Sequence, residues 1–429
     1  MKKLNFGLIL FCLVFASTTC YSFQGETPNF KQYEGEVVDA NNGKALIFAT
    51  LMVEGTNIST ITNTEGDFLL KVPANLSSGT ISISFLGYTT KTVALNDLAQ
   101  NENTIELVPS ALQLTEVDVN APKDARTLVL EVFKRKGDKY LDNPALMTAF
   151  YRETIKKRRK NVSLSEAVVN IYKSPYQSNR RDAVQLYKAR KSTDYSKLDT
   201  IALKLQGGPY NTLYSDIVKY PDIVFLEQNF DQYTYKFKRS TRINDNLIYV
   251  ISFSQREDIR DQLYKGELFI DVEQKTLTSA IYELNITNKV MAARLFVKKK
   301  PAKVDVWPTD IAYRVDYRNK NGKWYYGYSN VLLEFKVDWD DKLFNSVYSM
   351  TAEMAITDWE QNIDGEVPKP KERIRSSIIL ADEASGFSDP DFWGEYNIIE
   401  PEKSIESAIK KIQRQLRRAE RKGAATPTP

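Results

Sequence analysis

Short alternating runs of apolar and polar residues, each closed by Asn, Gly or Asp, fill residues 33–119. Clear examples are Gly35–Asp39, Ala49–Gly55, Thr62–Phe68 and Ile81–Tyr88. A period of two is typical of half-buried strands, and the closing residues are those that tight turns require. About six or seven such strands in about 85 residues predict a small β-sandwich.

The same stretch resembles the carboxypeptidase-regulatory-like domain, an immunoglobulin- or transthyretin-like sandwich. The motifs that match are Gly35-x-Val37-x-Asp39, Ala49…Val53-x-Gly55-Thr56, Thr62-x-x-x-Gly66-x-Phe68, Phe85-x-Gly87-Tyr88 and Leu114-x-Glu116-Val117-x-Val119. The resemblance covers about a fifth of the chain and implies a module and a cellular setting, not a reaction. In metallocarboxypeptidases the sandwich accompanies a separate zinc domain, whose His ligands this chain cannot supply.

The period changes after the sandwich. Apolar residues recur at helical spacing from Ala125 to Phe133, and Asn120–Pro122 offers a cap and a first-turn proline. We therefore predict a helix from about Pro122 to Tyr140, within a linker that spans residues 120–144.

Long alternating runs return in residues 145–400. The predicted strands are Met147–Ile155, Val162–Tyr172, Gln232–Ser240, Leu247–Ser254, Lys265–Val272, Leu277–Thr287, Ile311–Arg318, Lys323–Val337 and Phe344–Thr357. A short helix is expected near Asn211–Lys219. Consecutive strands joined by short turns predict a large antiparallel sheet or half-barrel with few helices, in a mainly β, α+β chain. Arg152, Glu153 and Glu166 lie among apolar neighbours, so an internal ion pair is expected.

Two further resemblances concern this second region. Phe150–Glu153 with Ser165–Val169, and the ending Asp389–Pro401, look like segments of uncharacterised Bacteroidetes-type envelope proteins, which imply no chemistry. Gly266–Asp271 followed by Thr278–Leu284 resembles periplasmic lipoprotein carriers and similar half-barrels, which hold acyl chains on a concave apolar face. That resemblance implies a cavity for a hydrophobic ligand; the alternative is a face filled by the chain's own helix.

Composition excludes several kinds of chemistry. The chain has no histidine, and its two cysteines, Cys12 and Cys20, lie in the leader. His-dependent nucleophiles, His-based zinc sites and disulfide frameworks are therefore excluded. A net charge of +4, from 59 basic and 55 acidic residues, gives no field that would attract nucleic acid. We predict a protein with no catalytic residues, no cofactor and no bound metal.

The N-terminus has the pattern of an export signal. Met1–Lys3 is basic, and the apolar stretch Phe6–Ala16 is too short to cross a bilayer. We predict a signal peptide over residues 1–22, cleaved near Ser22. The resemblance to Bacteroidetes-type envelope proteins implies location in the periplasm or at the outer membrane. Lipidation at Cys20 is the alternative, but Ser17–Thr19 matches the required pattern poorly.

Acidic and aromatic residues concentrate near the C-terminus, from Phe387 to Asn397. The candidate binding cluster consists of Asp389, Asp391, Phe392, Trp393 and Glu395. Its carboxylates could supply a pair for glycoside hydrolysis or a site for a hard cation. The aromatic rings are also large enough to act only as packing anchors, which we favour.

The last segment, residues 401–429, predicts a basic amphipathic helix followed by a disordered tail. Such a helix can make peripheral contact with a membrane or dock on its own domain.

The leading functional hypothesis is a non-enzymatic envelope protein, a sandwich adaptor with a β-rich domain that binds a protein, glycan or lipid partner. The alternatives are a periplasmic carrier of a hydrophobic ligand and a carboxylate-dependent hydrolase.

Overall fold

The computed structural model describes residues 29–76, 78–110, 124–158, 160–193, 205–225, 227–243, 246–297, 300, 302–341, 343–386 and 392–402. The predicted leader, the closing motif of the sandwich, Asn120–Pro122 and residues 403–429 lie outside these ranges. The protein is mainly β, as its sequence predicts.

The N-terminal sandwich contains seven described strands. They are β1 (Phe30–Asp39), β2 (Thr50–Val53), β3 (Ser59–Ile61), β4 (Asp67–Pro73), β5 (Thr80–Ser84), β6 (Lys91–Ala94) and β7 (Asn103–Leu107), with 3₁₀ turns at Ala74–Leu76 and Leu95–Asp97. One sheet has the order β4-β1-β7 and the other β3-β2-β5-β6. Alternate residues such as Val37, Leu51, Ile81 and Ile83 are fully buried between the two sheets.

Two of the sequence motifs meet in this sandwich. The hydroxyl of Tyr88 donates a hydrogen bond of 2.6 Å to Asp39 Oδ2, which helps lower the pKa of Asp39. Burial and this carboxylate raise the pKa of Tyr88 to about 12. Gly87 has φ of +84°, so the tight turn from Phe85 to Tyr88 favours glycine there. The turn fixes where Phe85 and Leu86 project.

The second region is built on one eleven-stranded sheet. Its strands are β8 (Ala145–Lys157), β9 (Lys160–Lys173), β10 (Ala183–Thr193), β11 (Tyr233–Ile243), β12 (Asn246–Gln255), β13 (Tyr264–Asp271), β14 (Thr276–Leu284), β15 (Val304–Lys320), β16 (Lys323–Trp339), β17 (Ser346–Gln361) and β18 (Ser385–Gly386). Their order is β11-β12-β13-β14-β15-β16-β17-β8-β9-β10-β18, and neighbours are antiparallel except β10 and β18. The predicted large antiparallel sheet is confirmed.

Few helices accompany the sheet. They are α1 (Ala125–Lys134), α2 (Lys136–Lys139), α3 (Pro209–Leu213), α4 (Lys289–Phe296) and α5 (Leu380–Glu383), with 3₁₀ turns at Pro221–Ile223, Glu227–Gln232 and Pro370–Glu372. The prediction of one helix to Tyr140 is wrong in its extent, because Arg135 leaves the helical conformation between α1 and α2. Asp124 caps α1 by accepting hydrogen bonds from the backbone N–H of Arg126 and Thr127.

Several other elements differ from the sequence prediction. Strands β10 and β18 and helices α4 and α5 were not predicted, and α3 ends at Leu213, not at Lys219. The stretch after Leu213 makes turns whose side chains point into the core, so helical spacing there reflects burial without a helix.

Different parts of the chain pack against the two faces of the large sheet. The inner face, which carries Tyr151, Val169 and Tyr282, packs against α1 and against residues 205–225 and 230–233 in one large apolar core. Phe225 lies at the centre of an aromatic group on this face, with ring centroids 4.9–6.5 Å from its neighbours. Side chains of the chain itself therefore fill the inner face over this area.

The outer face packs against the sandwich and residues 392–402. A bulge at Gly327 in β16 puts Tyr326 in the core on the inner face. Tyr328 lies in the apolar cluster between the outer face and the sandwich. A Cβ at Gly327 would lie 2.7 Å from Cγ of Arg318, so the glycine leaves room for that side chain.

Candidate functional site

Polar side chains of the sandwich bond to backbone carbonyls of the second region. Ser59 Oγ donates to Ile356 O at 3.0 Å, and Thr60 Oγ1 donates to Ile398 O at 3.1 Å. These donors are buried. Such directional bonds fix the sandwich in one orientation on the outer face.

Residues 392–402 lie between the sandwich and the sheet. The side-chain amide of Asn397 donates to Lys71 O and accepts from Lys71 N, at 2.9 and 2.7 Å. Asn397 therefore extends the hydrogen bonding of β4 like one more strand residue, and the segment is held on the sandwich side.

A buried ion network holds the same segment on the sheet side. Arg152 pairs with Glu166 at 2.8 Å and with Glu353 at 3.3 Å, and it donates to Ile399 O at 2.6 Å. Arg190 pairs with the other oxygen of Glu166 at 2.8 Å. Burial raises the pKa of Glu353, although Arg152 opposes that effect. The expected ion pair between Arg152 and Glu166 is thus present.

The predicted C-terminal cluster is divided by this arrangement. Asp389 and Asp391 lie outside the described residues. Trp393 is 3% exposed and packs edge-on against Phe150 at 5.4 Å, with Phe392 at 4.8 Å. Glu395 is exposed. The aromatic members pack between the two domains, whereas a carboxylate pair in this cluster stays a prediction.

A cleft of about 290 Å³ lies where the sandwich meets strands β14 to β16. Its lining combines hydroxyls, charged groups and aromatic rings. The lining residues that matter here are Phe48, Thr50, Ser82, Ser84, Phe85, Thr278, Ser279, Arg314, Asp316, Arg318 and Trp324. We call this the inter-domain cleft.

Strand alternation explains why the cleft is polar. In β5, Ile81 and Ile83 fill the sandwich core, so Ser82 and Ser84 face outward into the cleft. In β15, Val315 lies in the inner core, so Arg314 and Asp316 face the outer side. Two opposed sheet faces thus meet with their polar side chains toward each other.

The charged groups of the cleft are held in fixed positions. Arg314 Nε donates to Asp316 Oδ2 at 2.8 Å, and Ser279 Oγ donates to Asp316 Oδ1 at 2.5 Å. The Arg314 guanidinium lies 5.3 Å from the centre of the Phe48 ring. Because Asp316 has both oxygens occupied, it is an acceptor that orients its neighbours.

A second polar group lies buried on the inner face. Lys173 Nζ contacts Asp182 at 2.9 Å and Asp216 at 2.6 Å, and all three side chains are fully buried. Tyr176 and Tyr317 each donate to Asp216 at 2.9 Å. Burial acts to lower the pKa of Lys173, but the two carboxylates hold it above the ordinary value. This group fastens residues 205–225 to the sheet.

Glu153 does not join the network of its neighbour Arg152. It faces the inner side, where it accepts a hydrogen bond of 3.0 Å from Tyr151, and burial raises its pKa to about 7. Adjacent strand residues face opposite sides, so the ion pair expected among these three residues forms between Arg152 and Glu166, without Glu153.

The described residues contain no group of three or more Asp, Glu, Cys or His that could hold a metal ion. In the same part of the chain, no helix is long and apolar enough to cross a membrane.

Sequence reasoning missed the inter-domain cleft. A usable signal was present in β15, where Arg314, Asp316 and Arg318 place charges at every second position of a strand in a large sheet. Such a row marks the face of the strand that lies outside the core, and the sandwich covers part of that face.

Residues 33–119 match the model of the CarboxypepD_reg-like domain family. The chain therefore carries this domain, as its motifs predict. No curated protein matches the chain.

Solved structures give looser similarities. A DUF1329 family protein from Desulfovibrio piger is 9% identical, with 56% of this chain and 95% of that chain covered and a TM-score of 0.25. A domain described as an outer membrane lipoprotein-sorting protein, from Vibrio parahaemolyticus, is 10% identical, with 54% of this chain and 92% of that chain covered and a TM-score of 0.25. A LolA superfamily protein from Nitrosomonas europaea is 11% identical, with 60% of this chain and 100% of that chain covered and a TM-score of 0.19. TM-scores this low carry no argument about function.

Proposed function

We propose that the protein is a non-enzymatic binding protein of the cell envelope that holds a saccharide in the inter-domain cleft. The observation that carries the proposal is the lining of that cleft, which combines serine and threonine hydroxyls, the Arg314–Asp316 pair and the rings of Phe48 and Phe85. Saccharides present many hydroxyls beside apolar C–H faces, so both kinds of lining would be used. Location in the envelope follows from the predicted signal peptide.

The chemistry of the cleft favours a saccharide over an acyl chain. A hydrocarbon would remove water from Arg314, Asp316 and several hydroxyls without giving hydrogen bonds in return, which is costly. The inner face, where a hydrophobic cargo would be expected, is filled by residues 205–225, residues 230–233 and α1. The carrier hypothesis therefore has weaker support.

The topology of the walls favours recognition by side chains. Strands β2 and β5 are interior strands of their sheet, and β14 to β16 are interior strands of theirs. Their backbone groups are already paired along these walls, so an extended peptide cannot add as a further strand. A ligand here meets side chains, which suits a saccharide.

A hydrolase has less support at this cleft. Glycosidases use two carboxyl groups that flank the scissile bond. Among the described residues that line the cleft, Asp316 is the one acidic side chain, and its oxygens already accept two hydrogen bonds. The arrangement supports binding without turnover.

Native mass spectrometry of the mature protein, purified gently from its own envelope fraction, separates these functions. Bound mass in hexose-sized increments, lost when Ser84 is replaced by Trp to fill the cleft, would support the proposal. Bound mass in the lipid range that survives Ser84→Trp would support the carrier function. Trp307→Ala, outside the cleft, is the matched control.

A further inference from the structure

One rim of the large sheet combines clustered cations with exposed apolar side chains. We define the basic rim by its described residues: the β8–β9 tip (156–158 and 160), the segment 285–297, 300 and 302–303 with α4, and the β16–β17 turn (340–341 and 343–345). The strand register places these pieces together, because Lys157, Tyr348, Phe335 and Pro308 form one row across β8, β17, β16 and β15. Four neighbouring strands span only about 15 Å.

Helix α4 is fixed against this rim. The Phe296 ring lies 6.5 Å from the Phe335 ring, and the Lys289 ammonium lies 4.7 Å from the centre of the Trp307 ring. Asn288 caps the helix by accepting from the backbone N–H of Val290 and Met291. The helix therefore presents one constant face to solvent.

That face and the neighbouring turn expose large apolar side chains. Val290 is 55% and Leu295 58% exposed on α4, while Leu343 is 90% and Phe344 72% exposed in the turn. Met291 is exposed as well. Met291, Arg294 and Leu295 follow Val290 by one, four and five residues, and at 3.6 residues per turn these positions lie on one side of α4. Apolar side chains that project together at a rim mark an interaction surface.

The charge of the rim selects its partner. The described residues of the tip and of the segment from Lys289 to Lys303 contain eight Lys or Arg and no Asp or Glu. The acidic residues beside these cations are Asp305, Asp338, Asp340, Asp341 and Glu402. Lys300 pairs with Asp305 at 3.1 Å, and the cations still outnumber the acids. Apolar side chains set among cations fit a surface that has an apolar interior and anionic head groups.

We propose that the basic rim docks on an anionic lipid surface, with Phe344, Leu343 and the exposed face of α4 inserted among the lipids. The described cations of the basic rim contact the phosphates. The sandwich lies on the outer face and bonds to Ile356 and Trp359 in the half of β17 away from this rim, so docking leaves the inter-domain cleft open to solution.

The C-terminal end of the described residues lies beside the same rim. Glu402, the last described residue, pairs with Lys156 of the tip at 3.5 Å. Lipid binding by residues 403–429 alone is therefore the alternative that the experiment must separate from docking by the rim.

The test is co-sedimentation of the full mature chain with phosphatidylcholine vesicles that contain about one third phosphatidylglycerol, beside vesicles of phosphatidylcholine alone. The wild type should bind the anionic vesicles and release as salt rises. Leu343→Asp with Phe344→Asp should lower the partition coefficient at least ~10-fold, since charges replace inserted apolar groups. Arg294→Glu with Lys303→Glu should lower it by a similar factor on anionic vesicles only.

Matched controls lie elsewhere on the surface. Ile363, at the opposite end of β17, is 88% exposed, so Ile363→Asp removes an equally exposed apolar group and should leave binding unchanged. Lys31→Glu with Lys44→Glu is the charge control on the sandwich. Circular dichroism and thermal midpoints verify folding of every variant.

Three results would overturn the proposal. The first is that the wild type does not bind vesicles. If sedimentation velocity then shows a dimer, and Leu343→Asp with Phe344→Asp converts it to a monomer, the rim is an interface between two copies of the chain. The second is equal binding by the rim variants and the wild type, which would assign the lipid contact to residues 403–429. The third is an equal loss for Ile363→Asp and the rim variants.

Discussion

The guanidinium of Arg318, on strand β15 of the large sheet, donates a hydrogen bond of 2.5 Å to the hydroxyl of Ser59 in the sandwich. The same nitrogen donates to Ile356 O at 2.9 Å, and Ser59 Oγ donates to that carbonyl at 3.0 Å. Burial lowers the pKa of Arg318. One buried arginine thus joins the two domains beside the cleft.

We predict that the sandwich and the sheet unfold together. Arg318→Ala should lower the free energy of unfolding by about 1–3 kcal/mol, because it removes the buried donor that hydrogen-bonds to Ser59 and Ile356 across the two domains. Urea denaturation should show one transition for the wild type. Arg256→Ala, at an exposed ion pair with Asp258, should change stability by less than about 1 kcal/mol. Two separate transitions in the wild type would contradict this.

The buried group around Lys173 predicts strong coupling between two positions. Lys173→Met should cost about 3–5 kcal/mol, because it leaves the carboxylates of Asp182 and Asp216 buried without their cation. Adding Asp216→Asn should cost much less than its effect alone, because the second change removes one of those charges. Additive losses in the double-mutant cycle would show that the three groups do not act as a unit.

Glu153 predicts a pH dependence of stability. Its folded pKa, raised to about 7, exceeds the ordinary value of 4.5, so the folded state binds more protons between these values. The contribution of Glu153 to stability is therefore fully present below about pH 4.5 and is lost as pH rises toward about 7. Glu153→Gln should remove this slope and stabilise the protein at pH 8 by up to about 3 kcal/mol. An unchanged slope in chemical denaturation from pH 5 to 8 would refute the assignment.

Two neighbouring residues of the predicted C-terminal cluster should behave differently. Trp393→Ala should cost about 3–5 kcal/mol, because the ring is buried between Phe150 and Phe392. Glu395→Gln should change stability by less than about 0.5 kcal/mol, because that side chain is exposed. Thermal unfolding of both variants checks the pair. If Glu395→Gln, alone or with Asp391→Asn, abolished a measurable hydrolytic activity, the hydrolase hypothesis would return.

The sandwich and most of the large sheet could be predicted because most strands carry their own evidence in alternation and turn residues, but β10 and the two-residue β18 were missed. Helix α4 could not, because Lys289–Phe296 is only eight residues long and shows apolar side chains to solvent as well as to the core. The extent of α3 was overestimated because Ile217 and Val218 are buried without belonging to a helix.

The candidate site was harder to predict because it depends on contact between distant parts of the chain. Ser84 and Arg314 are about 230 residues apart in sequence, and neither has a meaning as a site without the other. By contrast, the packing role expected for Trp393 could be read from its size and its aromatic neighbours alone.

The most direct test of the proposed function is a glycan-array screen with wild-type protein, Phe85→Ala, Ser84→Trp and the control Trp307→Ala. If the inter-domain cleft holds a saccharide, the wild type and Trp307→Ala should bind the same saccharides. Phe85→Ala should weaken that binding and Ser84→Trp should abolish it, with all four proteins equally folded. Unchanged binding by Ser84→Trp, or no saccharide bound by the wild type, would contradict saccharide binding in the inter-domain cleft.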